Sequence, residues 1–219
     1  MRVFAIADPH LSKAQPKPMD IFGGNWQGHP EVFFERWRET VHNEDLVLIP
    51  GDISWAMRLE DALLDLNDIA ALPGKKVLLR GNHDYWWSAI GKVRKILPET
   101  MYALQNDALC IDGVVTCPGG YEFTEDDQKI YIREVERLNL SLQAAKKLKG
   151  KKFLVMLHYP PTNFRLEPSG FTELILKAKP DAVVFGHLHG EKVTLPKLEG
   201  IAVHFVAADA LGFRPKQIL

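Results

Sequence analysis

The chain has 219 residues, 46% hydrophobic and 25% charged, with 27 basic side chains against 28 acidic ones. Those fractions belong to a globular protein and exclude collagenous, fibrous and disordered readings. A net charge of −1 argues against a protein that coats nucleic acid through a broad basic face, and two cysteines cannot build a disulfide scaffold.

The first apolar stretch, Val3–Ala7, ends at Asp8 and reads as a strand. It is too short for a signal-peptide core or a membrane span, so a cytoplasmic protein with no membrane partner is expected. The stretch from Ser12 to Pro30, rich in Gly and Pro, reads as a long ordered loop. Loops of that length inside compact domains are often functional. Pro30 suits the first position of a helix over Glu31–Val41. Leu46–Ile49 and Val77–Leu79 read as strands, separated by Leu59, Leu63, Leu66 and Ala70 at helical spacing. Asp112-Gly113 between two apolar triplets is a hairpin signal. Its register sets Cys110 against Val115, so the thiols stay free. Tyr131, Val135, Leu138, Leu142 and Ala145 repeat the helical spacing, and Phe153–Leu157, Ala182–Phe185 and Val203–Ala207 complete the strands. Each strand is almost continuously apolar, as expected when both faces are covered. The alternation is that of an α/β fold, with one domain over residues 1–219.

Five polar blocks follow strands: Asp8-Pro9-His10, Gly51-Asp52, Gly81-Asn82-His83-Asp84, His158, and Gly186-His187-Leu188-His189. If the strands are mostly parallel, all five emerge at one carboxyl edge, where α/β proteins build their sites. Five of the eight histidines fall there; His29, His42 and His204 do not. Asp-x-His alone is common by chance, but Gly-Asn-His-Asp is expected about 10⁻³ times in a chain of this composition. Imidazoles and carboxylates together suit Mn²⁺, Fe or Zn²⁺ better than Ca²⁺ or Mg²⁺, and the lack of a thiolate disfavours a structural zinc site. So many donors exceed one tetrahedral ion and suit two divalent ions sharing a carboxylate.

The ordered series Asp8-x-His10, Gly51-Asp52, Gly81-Asn82-His83-Asp84, His158 and Gly186-His187-x-His189 resembles the complete motif set of the calcineurin-like metallophosphoesterases. The resemblance implies an αββα four-layer sandwich of two mixed sheets flanked by helices. It also implies that Asp8, His10 and His189 hold one metal, that Asn82, His158 and His187 hold a second, and that Asp52 bridges them. His83 would contact the phosphate and protonate the leaving oxygen, oriented by Asp84. A metal-bridging hydroxide would then attack phosphorus in line, with no phosphoenzyme.

Within the family, Asp52 continues as Ile53-Ser54-Trp55-Ala56-Met57 where the protein Ser/Thr phosphatases have Tyr-Val-Asp-Arg-Gly, which argues against phosphoprotein substrates. The expected substrate is a small soluble phosphomonoester or phosphodiester, a nucleotide among the candidates. The rivals are a nuclease and a non-catalytic scaffold that keeps the fold. Trp26, Trp55, Trp86 and Trp87 lie near motif loops, either packing under them or rimming the site. Trp55 and Trp87 are the candidates for substrate contact, with Arg165 as an additional phosphate contact.

Overall fold

Along the strand Leu46–Pro50, Leu46 and Leu48 face one hydrophobic core while Val47 and Ile49 face another. This double burial recurs in Lys152–Leu157, where Leu154 and Met156 share the first of these cores and Val155 and Leu157 enter a third. Three cores separated by two sheets make four layers. The computed structural model describes residues 1–119, 128–163, 165–190 and 193–219.

The elements run β1 (Val3–Ala5), α1 (His29–Thr40), β2 (Leu46–Pro50), α2 (Leu59–Ala70), β3 (Lys75–Leu79), α3 (Ile90–Ile96), β4 (Met101–Ala103), β5 (Leu109–Ile111) and β6 (Val114–Pro118). They continue with α4 (Gln128–Ala145), β7 (Lys152–Leu157), α5 (Gly170–Ala178), β8 (Ala182–Phe185), β9 (Ala202–Phe205) and β10 (Lys216–Gln217). One five-stranded sheet has the order β10-β1-β2-β3-β4 and the other β5-β6-β7-β8-β9. Both are mixed: β10 is antiparallel to β1 and β5 to β6, while the remaining pairs are parallel. Phe33 and Trp37 of α1, Leu66 and Ile69 of α2 and Val93 of α3 cover the outer face of the first sheet. Leu138 and Leu142 of α4 and Ile175 of α5 cover that of the second.

The αββα sandwich is therefore present, and the hairpin register pairs Cys110 with Val115 as the Asp-Gly turn requires. Both thiols are free. Two strands are shorter than the apolar runs suggest, because the chain changes partners. Beyond β1, Ala7 pairs with Ala207, and the amide of Ala7 donates to the Val206 carbonyl at 2.7 Å. This seam joins the first sheet to the second next to Asp8. Four short elements, α3, β4, α5 and β10, were not anticipated from sequence. Among the described residues no helix is long and apolar enough to cross a membrane.

Candidate metal centre

Parallel pairing delivers the polar blocks to one edge, and backbone hydrogen bonds carry the pairing past the strand ends. The amides of Asp8, His10 and Leu11 donate to the carbonyls of Gly51, Asp52 and Ile53 at 3.0–3.1 Å. The chain must bend sharply there. Asp8, His10, Asp52 and His187 all have left-handed backbones, with φ of 56°, 47°, 52° and 66°. Non-glycine residues adopt that region at a cost, and such strain concentrates at functional sites. Two motif glycines are required by close approach. A Cβ at Gly81 would collide with the amide and carboxylate of Asp52, and one at Gly186 with the Asp8 carboxylate.

The result is two groups of ligand-type atoms, Asp8–His10–His189 and Asp52–His158–His187, each within 4.8 Å of one another. Asn82 joins the second, its Oδ1 lying 2.7 Å from His158 Nε2 and 3.1 Å from His187 Nδ1. Asp52 Oδ2 lies between the groups, 3.7 Å from His10 Nε2 and 3.4 Å from His158 Nε2. The other carboxylate oxygens are engaged: Asp52 Oδ1 accepts from the His83 amide and Asp8 Oδ2 from the His187 amide. Asp8 Oδ1 and Asp52 Oδ2 are buried and accept no hydrogen bond from any described residue. A buried carboxylate oxygen without a donor is costly, and a cation would supply what is missing.

The electrostatics agree. Burial lifts the Asp8 carboxyl to about 8, partly offset by His158. Burial pushes His10 down to about 3 and His187 to about 4, leaving neutral imidazoles with a lone pair to offer. Burial alone would lower His158, but Asp52 and Asp8 outweigh it and raise the ring to about 9. Burial opposes ionisation of Asp52, yet His158 and His10 hold it below the usual carboxylate range. The His158 ring lies 3.8 Å from Asp8 Oδ1 and 3.4 Å from Asp52 Oδ2. A divalent cation can take the place of a proton among such ligands, so the donor set fits two of them.

The seven residues singled out as ligands thus converge in space. His83 lies beside them, half-buried, its ring 4.5 Å from Trp55 and 5.8 Å from His10. Burial lowers its pKa despite the pull of Asp52. Three further candidates are placed as follows. Among the described residues no hydrogen bond joins the Asp84 carboxylate to the His83 ring. The buried Oδ1 of Asp84 accepts from the amides of Ile53 and Ser54 and from Trp86 Nε1, and its Oδ2 accepts from the Gly81 amide. The partner of His83 Nδ1 is instead the Tyr85 hydroxyl at 3.2 Å. Trp87 is buried in the core, with Nε1 on Gln105, because it packs under its loop. Arg165 is exposed in a turn, where its amide is held by Asn163, and among the described residues no contact joins it to the site. Trp55 does lie at the site, stacked on His10 at 4.9 Å and capped by the Lys17 ammonium 3.1 Å from its ring centroid.

Sequence reasoning missed two supports. Asp209 Oδ1 lies 3.2 Å from His189 Nδ1, and its Oδ2 accepts from the Gly190 amide. It follows β9 as the other polar blocks follow their strands, so the same rule could have found it. His29, set aside as a bystander, is buried with its ring between the carbonyls of Trp26 and His10. The 12–30 loop also lays Trp26 against His10 and His189, at centroid distances of 5.9 and 5.6 Å.

The family model for calcineurin-like phosphoesterases matches residues 1–191. Solved structures similar in fold include these three. A protein from Thermus thermophilus has a TM-score of 0.65 at 14% identity, covering 99% of this chain and 98% of its own. A phosphopantetheinyl hydrolase from Mycobacterium tuberculosis has a TM-score of 0.62 at 13% identity, covering 100% and 95%. A protein of unknown function from Aquifex aeolicus has a TM-score of 0.55 at 16% identity, covering 99% and 95%. No curated protein matches the sequence. The motif series, the two-sheet sandwich and the family match over residues 1–191 agree, and the chain belongs to the calcineurin-like phosphoesterase family.

Proposed function

We propose that the protein, acting as one catalytic domain over residues 1–219, is a dinuclear-metal phosphohydrolase of small phosphomonoesters or phosphodiesters. The observation that carries this reading is the position of Asp52 Oδ2, buried, without a hydrogen bond from any described residue, and between two groups of histidine and carboxylate donors. Asp8, His10 and His189 would hold one ion, Asn82, His158 and His187 the other, and Asp52 both. Two bound divalent cations would neutralise charge on the phosphoryl oxygens and make water a competent nucleophile near neutral pH.

The chain's own residues do the rest. Asp209 holds His189 by Nδ1, and the Pro50 carbonyl holds His158 by Nδ1 at 2.8 Å, leaving Nε2 of each ring toward the centre. His83, half-buried beside Trp55, would protonate a leaving oxygen. Every position of the motif series keeps a coordinating side chain, which favours an enzyme over a scaffold. The metal is Mn, Fe or Zn by donor type.

The test is turnover of p-nitrophenyl phosphate and bis-p-nitrophenyl phosphate by metal-reconstituted protein. Asp52→Asn and His83→Ala should each lower kcat by about 10²-fold or more. Unchanged turnover in both variants would overturn the catalytic assignment.

A further inference from the structure

A cavity of about 650 Å³ adjoins the metal centre, between the segment after β7 and the segment after β8. His187 and His189 belong both to its wall and to the two donor groups, so cavity and centre are continuous. Leu157, Pro161, Phe171, Phe185 and Val193 make its wall largely apolar. Its volume is within the range of small-molecule sites.

The chemistry of the wall narrows the occupant. Among the described lining residues there is no Lys or Arg, and the acid present is Glu167, so these residues offer a second phosphate no cation. The polar side chains are largely engaged with the chain itself. Asn163 Oδ1 accepts from the amides of Arg165 and Glu167, both at 3.0 Å, and its Nδ2 donates to Glu167. Ser169 Oγ donates to the Pro161 carbonyl and accepts from the Thr172 amide. A nucleobase is read through hydrogen bonds along its edge, and these two side chains are mostly spent on the chain itself. Thr162 differs: it is 8% exposed, and its Oγ1 has no partner among the described residues.

We infer that this cavity receives the leaving group of the substrate, and that this leaving group is an amphipathic alcohol. It would carry an aliphatic or acyl-type arm, no second phosphate, and one group that hydrogen-bonds Thr162. The inference rests on the phosphoesterase reading and adds to it the class of alcohol released.

The experiment titrates Mn²⁺-loaded protein calorimetrically with n-alkylphosphonates from methyl to hexyl. In parallel it measures hydrolysis of the matching n-alkyl phosphates. Affinity should rise about fourfold for each methylene that enters the cavity, and the heat-capacity change should grow more negative with chain length. Leu166→Asp, at the cavity wall, should flatten the series. Leu166 has φ of 59°, a backbone in which Asp is at ease, so the variant is expected to fold. Affinity independent of chain length, or adenosine monophosphate binding tighter than hexyl phosphate, would overturn the inference. Chain-dependent binding with no hydrolysis of any ester would support the cavity's role and overturn the phosphoesterase reading instead.

Discussion

His158 Nδ1, at the end of β7, lies 2.8 Å from the carbonyl oxygen of Pro50, at the end of β2, and this hydrogen bond ties one sheet to the other. A carbonyl can only accept, so Nδ1 carries the proton and Nε2 is turned toward Asn82 and Asp52. One ring therefore joins the sheets and offers a donor atom. Removing it in His158→Ala should cost about 1–3 kcal/mol through the lost buried bond. The melting temperature should fall by about 2–12 °C. Measurement in chelator isolates this structural loss, and metal analysis of the reconstituted variant should then give one ion per chain instead of two.

Asp209 acts on the centre through His189. Asp209→Ala removes the acceptor at His189 Nδ1 and frees the Gly190 amide. Loss of such a supporting carboxylate weakens metal binding by about 10–100-fold. Turnover should fall at limiting metal and largely recover at saturating metal. A deficit that excess metal does not relieve would show a different role.

Asp84 is expected to serve stability. Its four N–H partners occupy both carboxylate oxygens, so Asn in its place must direct an amide donor at another donor. Asp84→Asn should therefore destabilise the protein by about 1–3 kcal/mol, read by denaturant unfolding. A variant of unchanged stability whose turnover is lost would return Asp84 to the chemistry at His83.

Metal removal should be visible without any substrate. Asp8 Oδ1 and Asp52 Oδ2 have no donor among the described residues in a buried site, so bound cations should stabilise the folded state selectively. At a metal concentration a hundred times Kd the gain is about 2.7 kcal/mol. Adding Mn²⁺ or Zn²⁺ to chelated protein should raise the melting temperature by about 5–11 °C. Asp52→Asn should lose most of that rise.

Away from the centre, the buried Lys76 ammonium donates to the carbonyls of Ala70 and Leu72 at the end of α2. Burial lowers its pKa from 10.5 to about 8. Between those values the unfolded chain binds a proton that the folded one does not, so stability rises as pH goes from about 8 to 10.5. The difference in melting temperature between wild type and Lys76→Met should grow in favour of wild type across that interval. A constant difference would show that the folded state keeps the charge.

The legible part of this molecule was what parallel burial writes into sequence. Strands such as Ala182–Phe185, covered on both faces, must be apolar at every position, so their ends and the polar blocks after them stand out. The hairpin was legible through Asp112-Gly113, both of which have positive φ. The edge strands β4 and β10 are three and two residues long, too short for a pattern. The helix α5 was missed although Ser169 and Thr172 form a reciprocal cap, because the familiar signature has Glu or Gln at the third helical position. The tryptophans near the motifs were not separable from sequence. Trp86 and Trp87 entered the core while Trp55 met His10, and only the packing of distant loops decides which.

The left-handed backbones of Asp8, His10, Asp52 and His187 also restrict how this centre can change. At such positions Asn and Gly fit readily, whereas Val, Ile or Thr would strain the main chain as well as remove a donor. Substitutions at the centre therefore divide into two kinds. Asp8→Asn or Asp52→Asn should yield folded proteins with weakened metal binding, while β-branched replacements should fail at folding. A drifting lineage would thus lose its metals by way of amides and glycines, leaving the shape of the strand ends behind as a record of the chemistry.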